Sequence, residues 1–462
     1  MSRAEKRSRM QKLTIVMPIL SCLMSCLMAF GQEAAGWKVG VAKVKITPAK
    51  PVWLAGYGGR DHVMEGVRQD VWAKALALED RKGRVGVIVT LDLCNTTKEL
   101  GDAMLDLIEK RHGLKREQVI LNSSHTHSGP LIGFIKRHVY PLSDAQWEDV
   151  FAYSRWLTDR VADVVGEALA NRRPATVSTG NGTCRFAVNR RRNKEGELTS
   201  LTELNGARDY AVPVLKVEDL NGRTFAILFG YACHNTVLDT YLVCGDYAGY
   251  AQEEVERLHP GATAMFFQGA GADQNPLPRR KVSLAVQYGR ELAAAVDQVL
   301  ADDMTRREPE LTFAFAQPML ALEEPMSQAE FARFIEEAEA KGVQWRVRCS
   351  RALAKEIASG EKNFREYPYP VHYWRIGDQK LFALGGEIVS GYAVEIKKRH
   401  GLDAFVMGYC DDVMSYMPTP EMWDQGGYEI RDANLCFGLP APWTRDVTQR
   451  ILDAVDRLVQ GR

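Results

Sequence analysis

The chain of 462 residues has no excess charge of either sign, because 59 basic side chains are balanced by 59 acidic ones. Residues 1–31 hold five of the basic side chains and one of the acidic ones. Without them, 54 basic and 58 acidic side chains remain, a net charge of about −4. Nucleic acids and other polyanions are bound by concentrated positive charge. The balance therefore predicts no nucleic-acid partner.

Cysteine is present, but not in the spacings that zinc knuckles or disulfide scaffolds use. Two of the nine cysteines lie in residues 1–31, and the remaining seven include no Cys-x-x-Cys pair. An odd number without such pairs indicates neither a zinc knuckle nor a dense disulfide framework. Cys233 and Cys244 flank one loop and could form a disulfide in an oxidising compartment. Buried free thiols are the alternative.

Long apolar runs are missing after residue 31, whereas one apolar run occurs before it. Residues 1–12 carry five basic side chains, residues 13–30 are almost entirely apolar, and small residues suited to a signal peptidase follow. This pattern predicts a secretory signal cleaved before Gln32, and hence export to the periplasm or outside the cell. A retained membrane anchor is an alternative, as is a lipoprotein site at Cys22 or Cys26.

Internal repeats and low-complexity linkers are also missing, which favours one domain over residues 32–462. Apolar runs predict strands at residues 37–47, 85–93, 119–121, 262–267, 380–384 and 404–407, with a hairpin over 210–218 and 223–231. Periodic patterns predict helices at residues 99–112, 143–171, 282–300 and 444–458, and a charged helical insertion, or lid, over about 326–360. Because strands and helices interleave, the fold class is α/β, with a mixed β-sheet core and flanking helices.

Five of the predicted strands end in loops that hold polar or metal-ligating side chains. The loops contain His125 and His127; His234; residues 268–276; Glu387; and residues 408–416. Side chains at strand ends meet at one edge of a sheet, where α/β proteins place ligands. Two histidines, a carboxylate and one further ligand suit zinc, which can activate water for hydrolysis. The sequence therefore predicts a metal site at the strand ends.

Considered alone, several of these residues also have structural interpretations. An isolated His-x-His pair can be a loop without a function, and His234 can be a packed core histidine. Glu387 can be an acidic residue favoured by a helix N-terminus. Asp273 is expected to fix its loop by accepting backbone N–H groups. The glycine-rich loop of residues 54–60 lacks phosphate-loop spacing and predicts no nucleotide site.

Several motifs together resemble the neutral/alkaline non-lysosomal ceramidase family. They are Asn-Ser-Ser-His-Thr-His-Ser-Gly-Pro at 122–130, Ala-Cys-His at 232–234, the loop 269–276, Gly-Glu at 386–387, Tyr-Met-Pro-Thr-Pro-Glu at 416–421 and Tyr-Glu at 428–429. They occur in the family's order and with similar spacing. The resemblance implies a zinc-dependent amidase that cleaves an N-acyl bond in a small or lipid-like substrate, with membrane-surface association as a further implication.

The resemblance also implies a role for each matching residue. The implied zinc ligands are His125, His234, Glu387 and Tyr416. His127 would transfer a proton or stabilise an oxyanion beside the metal, and Tyr428 would stabilise the same oxyanion. Arg190 would hold the polar part of the substrate.

The chain departs from the family pattern at two places. Asn275 stands where the family has an active-site serine; asparagine can donate a hydrogen bond to an oxyanion but cannot act as a nucleophile. The family's carboxy-terminal immunoglobulin-like domain is not expected in this chain. These departures motivate two alternatives, an esterase or deacetylase acting on an acylated saccharide and a non-catalytic exported binding protein.

Overall fold

The computed structural model describes residues 36–133, 137–198, 200–201 and 203–461, so the predicted signal of residues 1–31 lies outside the described part of the chain. The helices there are α1 (Lys98–His112), α2 (Asp144–Ala170), α3 (Asp246–Leu258), α4 (Val282–Ala301), α5 (Gln328–Ala340), α6 (Gln344–Ala358), α7 (Ser390–His400), α8 (Pro420–Gln425), α9 (Asp432–Phe437) and α10 (Val447–Val459). None of these helices has the length and apolar character needed to cross a bilayer.

The strands form one large sheet, one smaller sheet and several short pairs. The strands are β1 (Trp37–Lys45), β2 (Gly66–Val67), β3 (Trp72–Glu79), β4 (Val85–Leu91), β5 (Val119–Ser123), β6 (Arg173–Thr183), β7 (Ala187–Asn189), β8 (Ala211–Asp219), β9 (Thr224–Tyr231), β10 (Leu242–Val243), β11 (Thr263–Gln268), β12 (Gln274–Pro276), β13 (Thr305–Arg306), β14 (Leu311–Ala316), β15 (Met319–Ala321), β16 (Glu366–Pro368), β17 (Val371–Ile376), β18 (Gln379–Leu384), β19 (Glu387–Ile388), β20 (Phe405–Met407) and β21 (Tyr416–Met417).

The large sheet has the order β11-β9-β8-β6-β1-β3-β4-β5, with β13 paired to β6, and the smaller sheet has the order β14-β17-β18-β20. The large sheet is mixed, since β11/β9 and β4/β5 are parallel while its other pairs are antiparallel. The predicted α/β class with a mixed sheet is confirmed.

The two sheets pack face to face between two layers of helices. Alternate residues along each large-sheet strand point to opposite sides, as strand geometry requires. In β5, Ile120 joins the core between the sheets, whereas Val119 and Leu121 face α1 and α2. The other half of that outer face is covered by α3 and α4, and the outer face of the smaller sheet by α7 and α10. Strands buried on both faces explain the continuous apolar runs in the sequence.

The two ends of the large sheet come together at one place. The side chain of Asn122, on β5, donates to the backbone oxygen of Gln268 at 3.3 Å and accepts from its N–H at 2.9 Å. Short bridges then join both ends to the smaller sheet, Asn122 to Cys410 and Gly269 to Met407. The loops that leave β5, β9, β11, β18 and β20 are therefore brought to one region.

Most sequence-predicted elements are confirmed, together with their start and stop signals. Ser143 caps α2, Ser327 caps α5, and Gly113 ends α1 in the left-handed conformation. The predicted helical insertion consists of two helices, α5 and α6. Strands β3, β6, β14 and β17 were not predicted. Cys233 and Cys244 are both buried free thiols, so the disulfide between them does not form.

Candidate metal centre and active site

His125 is held in an unusual backbone conformation at the end of β5. Its φ is 62°, in the left-handed region that residues other than glycine seldom adopt, and its side chain is fully buried. The ring Nδ1 lies 2.7 Å from the backbone oxygen of Cys94. That hydrogen bond leaves Nε2 as the atom facing the other strand ends. Strain and a fixed ring orientation are both typical of a functional residue.

His234 is oriented in the same way by a different loop. It follows β9, is buried, and its Nδ1 lies 3.1 Å from the backbone oxygen of Gly271. Its Nε2 therefore points toward the same region as Nε2 of His125. Hydrogen bonding of one ring nitrogen to a backbone carbonyl is how metal-binding histidines are commonly oriented.

Glu387 and Tyr416 are placed side by side by a short parallel strand pair. They are direct partners in the pairing of β19 with β21. Glu387 precedes α7, which begins at Ser390, so it lies on a strand and is not a helix N-terminal residue. The alternative explanation for this glutamate is therefore wrong.

The four predicted ligands converge on one point. Oε2 of Glu387 lies 3.3 Å from Nε2 of His125 and 3.5 Å from Nε2 of His234, and the Tyr416 hydroxyl lies 3.3 Å from Nε2 of His234. Tetrahedral zinc with bonds of about 2.0 Å separates its donor atoms by about 3.3 Å. The donor set of two imidazoles, a carboxylate and a phenol thus fits zinc in chemistry and in spacing.

A second possible cation group consists of Cys94, His125 and His127. It shares His125 with the first group but fits less well. The Sγ of Cys94 is 3.8 Å from Nδ1 of His125, and that nitrogen is already bonded to the Cys94 backbone oxygen. A metal there would compete with the hydrogen bond that orients the ring.

The electrostatics of the cluster favour a bound cation. Burial lowers the pKa of His125, but the Glu387 carboxylate and Cys94 outweigh burial and raise this pKa to about 10. At His234, burial and the nearby Arg190 guanidinium lower the pKa to about 4. One buried carboxylate therefore attracts positive charge strongly, while His234 keeps a free lone pair. Both properties are needed by a metal site.

His127 lies beside the four predicted ligands rather than among them. Its Nε2 is 3.1 Å from Nε2 of His125, and its ring meets Tyr57 edge-on at 4.7 Å. Arg60 donates to the His127 backbone oxygen at 2.8 Å. A Cβ on Gly56 would lie 2.4 Å from the His127 ring. The glycine-rich loop of residues 54–60 therefore packs tightly around His127, a role that the sequence did not reveal.

Arg190 connects the predicted ligand set to the surface. It donates to the Tyr416 hydroxyl at 3.2 Å and to Glu429 at 2.9 Å. Glu429 also accepts from Arg191, so one carboxylate is shared by two guanidinium groups. Burial lowers the pKa of Arg190, but Tyr416 and Glu429 raise it well above its usual value. The Tyr-Glu motif at 428–429 does not predict this bridging role of Glu429, because it depends on contacts with residues distant in sequence.

Tyr428 and Asn275 both lie near this arginine. The Tyr428 ring meets the Tyr416 ring edge-on at 5.6 Å. Asn275 pairs with Val188 between β12 and β7, two residues before Arg190. Asp273 accepts from the Ser390 backbone N–H at 2.7 Å, which agrees with its expected role in fixing the loop. All the predicted site residues thus belong to one region.

Tyr409 is a site neighbour to which the sequence gave no role. Its ring lies 4.4 Å from the His125 ring, and its φ of 54° is again left-handed. Its backbone donates to Gly386 and accepts from Ser123, so it joins the loops that carry Glu387 and His125. A tyrosine in a Gly-Tyr dipeptide carries no sequence signal for such a position.

A cleft of about 650 Å³ opens beside the cluster, with Arg190, Asn275 and Glu429 among its lining residues. Through Arg190, one hydrogen bond connects the cleft with Tyr416. The arrangement therefore has a buried group that can hold a cation, a neighbouring histidine, and a polar cleft large enough for part of a substrate.

The family model "Neutral/alkaline non-lysosomal ceramidase, N-terminal" matches residues 37–317. The chain belongs to this family. The match includes His125, His127 and His234, whereas Glu387 and Tyr416 lie beyond it. The family membership predicted from the motifs is confirmed.

Curated relatives in this family match about half of the chain. Neutral ceramidase B of Dictyostelium discoideum is 26% identical over 231 residues, which are 47% of this chain and 31% of that protein. Neutral ceramidase of Drosophila melanogaster is 26% identical over 245 residues, 49% of this chain and 33% of that protein. The matches therefore span about a third of these relatives.

Solved structures of the ceramidase family share the fold over nearly the whole chain. The crystal structure of neutral ceramidase from Pseudomonas aeruginosa has a TM-score of 0.69 at 21% identity, covering 93% of this chain and 75% of that one. A structure described as ceramidase complexed with C2 has a TM-score of 0.67 at 19% identity, covering 92% and 76%. At these identities the likeness concerns the fold.

Proposed function

We propose that the chain is an exported zinc-dependent amidohydrolase that cleaves the N-acyl bond of a ceramide-like substrate. The observation that supports this most strongly is the spacing of the donors of His125, His234, Glu387 and Tyr416, which suits tetrahedral zinc. Zinc bound by these residues would polarise the carbonyl and lower the pKa of water, so that a nucleophile is available at neutral pH.

Residues around the metal ligands would transfer protons, stabilise the oxyanion and bind the substrate. His127, which lies beside His125 and against Tyr57, would take a proton from water and deliver it to the leaving amine. Tyr428 would donate a hydrogen bond to the developing oxyanion. Arg190, held by Glu429, would orient the polar part of the substrate. Asn275 would bind the amide group beside Arg190 without forming a covalent bond to it.

Metal content and activity test the proposal together. His125→Ala and His234→Ala should each lose bound zinc and the release of fatty acid from a short-chain ceramide, because each removes one of four ligands. His62→Ala, on an exposed histidine, is the matched control and should keep both. A ligand variant that keeps a full equivalent of zinc and full activity would contradict the assignment.

The same assay separates the alternatives. Release of acetate from acetylated saccharides, without release of fatty acid, would favour the hypothesis of an esterase or deacetylase, which Asn275 motivates. Purified protein with neither zinc nor turnover would favour a non-catalytic binding protein.

Export is part of the proposal and rests on the apolar leader of residues 1–31. Mass spectrometry of protein recovered from the periplasm or the medium should find a chain that starts at Gln32. An uncleaved chain recovered with membranes would indicate a retained anchor. An acylated Cys22 or Cys26 at the new N-terminus would indicate a lipoprotein.

A further inference from the structure

The cleft beside the predicted metal ligands is lined by more positively than negatively charged residues. Its positively charged residues are Arg190, Arg191, Arg192, Lys194 and Arg279, whereas its negatively charged residues are Glu195 and Glu429. The whole chain has no net charge, so this excess is a local feature. Positive charge concentrated in a cleft raises the local concentration of anions and orients them as they enter.

Ion pairs, two of them with Glu197 and Glu421 outside the lining, reduce this excess to one positive charge but do not remove it. Glu429 is shared between Arg190 and Arg191, which leaves one positive charge uncompensated. Arg192 pairs with Glu421, whose side chain is 69% exposed. Exposed ion pairs of this kind contribute little to stability and are screened by salt. Arg279 pairs with Glu195 at 3.3 Å, and Lys194 pairs with the exposed Glu197 at 3.1 Å.

Two buried polar groups in the lining lack hydrogen-bond partners among the described residues. Asn275 is 5% exposed, and its Oδ1 is buried and unbonded. The Nε of Arg191 is also buried without a partner. Buried polar atoms are normally paired, so an acceptor and a donor left over in one cleft indicate a ligand that offers the complementary groups. An amide N–H and an anionic oxygen offer both.

We propose that the preferred substrate is an N-acylated amine whose amine part carries an anionic group. Asn275 accepts from the scissile amide N–H, Arg190 and Arg191 bind the near side of the anion, and Arg192 and Arg279 attract it from the rim. This inference rests on the proposed amidase function and assigns its substrate class. The shared chemistry is a carboxylate, sulfonate or phosphate a few bonds from the amide nitrogen.

Matched substrates test the assignment on the zinc-loaded full chain. N-octanoyltaurine and N-octanoylethanolamine share the acyl chain and the amide. The taurine compound ends in a sulfonate, whereas the ethanolamine compound ends in a neutral hydroxyl group. N-octanoylglycine tests a carboxylate in place of the sulfonate. We expect kcat/KM to be about tenfold higher for the anionic substrates at about 50 mM NaCl, and the preference to shrink at about 500 mM.

Charge-removing variants show whether the cleft is responsible. Arg279→Gln and Arg192→Gln should each lower the ratio of anionic to neutral kcat/KM several-fold, mainly through KM. Arg290→Gln is the matched control, because it removes the same charge from an exposed position on α4 outside the cleft. It should leave the ratio unchanged.

The outcomes separate this inference from the proposed function. Equal or better turnover of the neutral substrate, with a ratio insensitive to Arg279→Gln, overturns the substrate class and leaves the amidase standing. If no substrate is turned over, calorimetry decides. If N-octanoyltaurine binds and Arg279→Gln weakens its binding, the cleft assignment is supported and the amidase proposal is contradicted. If N-octanoyltaurine does not bind, both are overturned.

Discussion

At the scale of single residues, the site depends on backbone conformations that residues other than glycine normally avoid. His125, Tyr409 and Asp411 all have positive φ, and they lie on the loops that end β5 and β20. Such conformations cost about 1–2 kcal/mol each for an L-residue and persist only where the surroundings enforce them. Here the enforcing contacts are the tilted ring contact of Tyr409 with His125 and the His372–Asp411 pair at 2.7 Å.

Gly56 gives a residue-scale prediction. Its φ is 100°, and an added Cβ would lie 2.4 Å from the His127 ring. Gly56→Ala should therefore displace His127 and lower kcat about a hundredfold or more, the range for losing a general acid–base group. Zinc content should remain, since the four predicted ligands are unchanged.

Gly83→Ala is the control for that substitution. Gly83 has a similar left-handed φ of 76°, but nothing lies within 4 Å of the added Cβ. Both variants put alanine at a positive φ, but only Gly56→Ala brings its Cβ against His127. Equal activity in the two variants would show that His127 has no part in the reaction.

At the scale of elements, the loop between β20 and β21 supports the site from behind. Asp411 accepts from the Leu121 N–H of β5 at 3.1 Å, and the Asp412 backbone oxygen accepts from the Gly386 N–H next to Glu387. This loop thus fixes the register of β5 and β19 against each other. The Asp412 side chain is almost fully buried and accepts from the Tyr367 hydroxyl at 3.0 Å.

Asp412 makes the stability of this loop depend on pH. Burial raises its pKa to about 7, from an ordinary value of 3.8. The folded state therefore binds the proton more tightly than the unfolded state, so this carboxyl should lower stability as pH rises from about 4 to about 7. Asp412→Asn keeps the acceptor for Tyr367 without the charge.

Urea denaturation at two pH values measures the effect. At pH about 8, Asp412→Asn should raise the free energy of unfolding by roughly 2–4 kcal/mol, and at pH about 4 it should change little. Asp303→Asn, at an exposed position, should show no such pH dependence. A pH-independent difference for Asp412→Asn would contradict the buried, protonated carboxyl.

At the scale of the whole molecule, the proposed metal joins parts of the chain that are far apart in sequence. His125 follows β5, at one end of the large sheet, and His234 follows β9, next to the strand at the other end, whereas Glu387 and Tyr416 come from the region of the smaller sheet. A ligand that binds only the folded state stabilises it in proportion to the logarithm of its concentration over Kd. Zinc should therefore stabilise the contact between the two sheets.

Chelation tests this linkage. Removing zinc should lower the melting temperature by roughly 5 °C, the shift expected when about 4 kcal/mol of binding free energy is lost in a chain of this size. His234→Ala should melt at the lower temperature already and respond little to the chelator. An equal response in both proteins would mean that zinc acts elsewhere.

The sequence by itself determined the local elements, the α/β class, the family and the candidate ligands. Apolar runs, capping residues and loop motifs are local signals, so Ser143, Ser327 and the His125 loop could be recognised without a structure. Strand β3 was not predicted because, although it is buried on both faces, its alanines and the buried Lys74 break the continuous apolar run that such a strand usually shows.

Only the tertiary structure decided how these pieces meet. The convergence of the sheet ends through Asn122 and Gln268, the pairing of Glu387 with Tyr416, and the bridge of Glu429 between two arginines all join residues distant in sequence. The packing of Tyr57 and Gly56 on His127 is of the same kind. Such contacts follow from the packing of two sheets against each other, which no local pattern encodes.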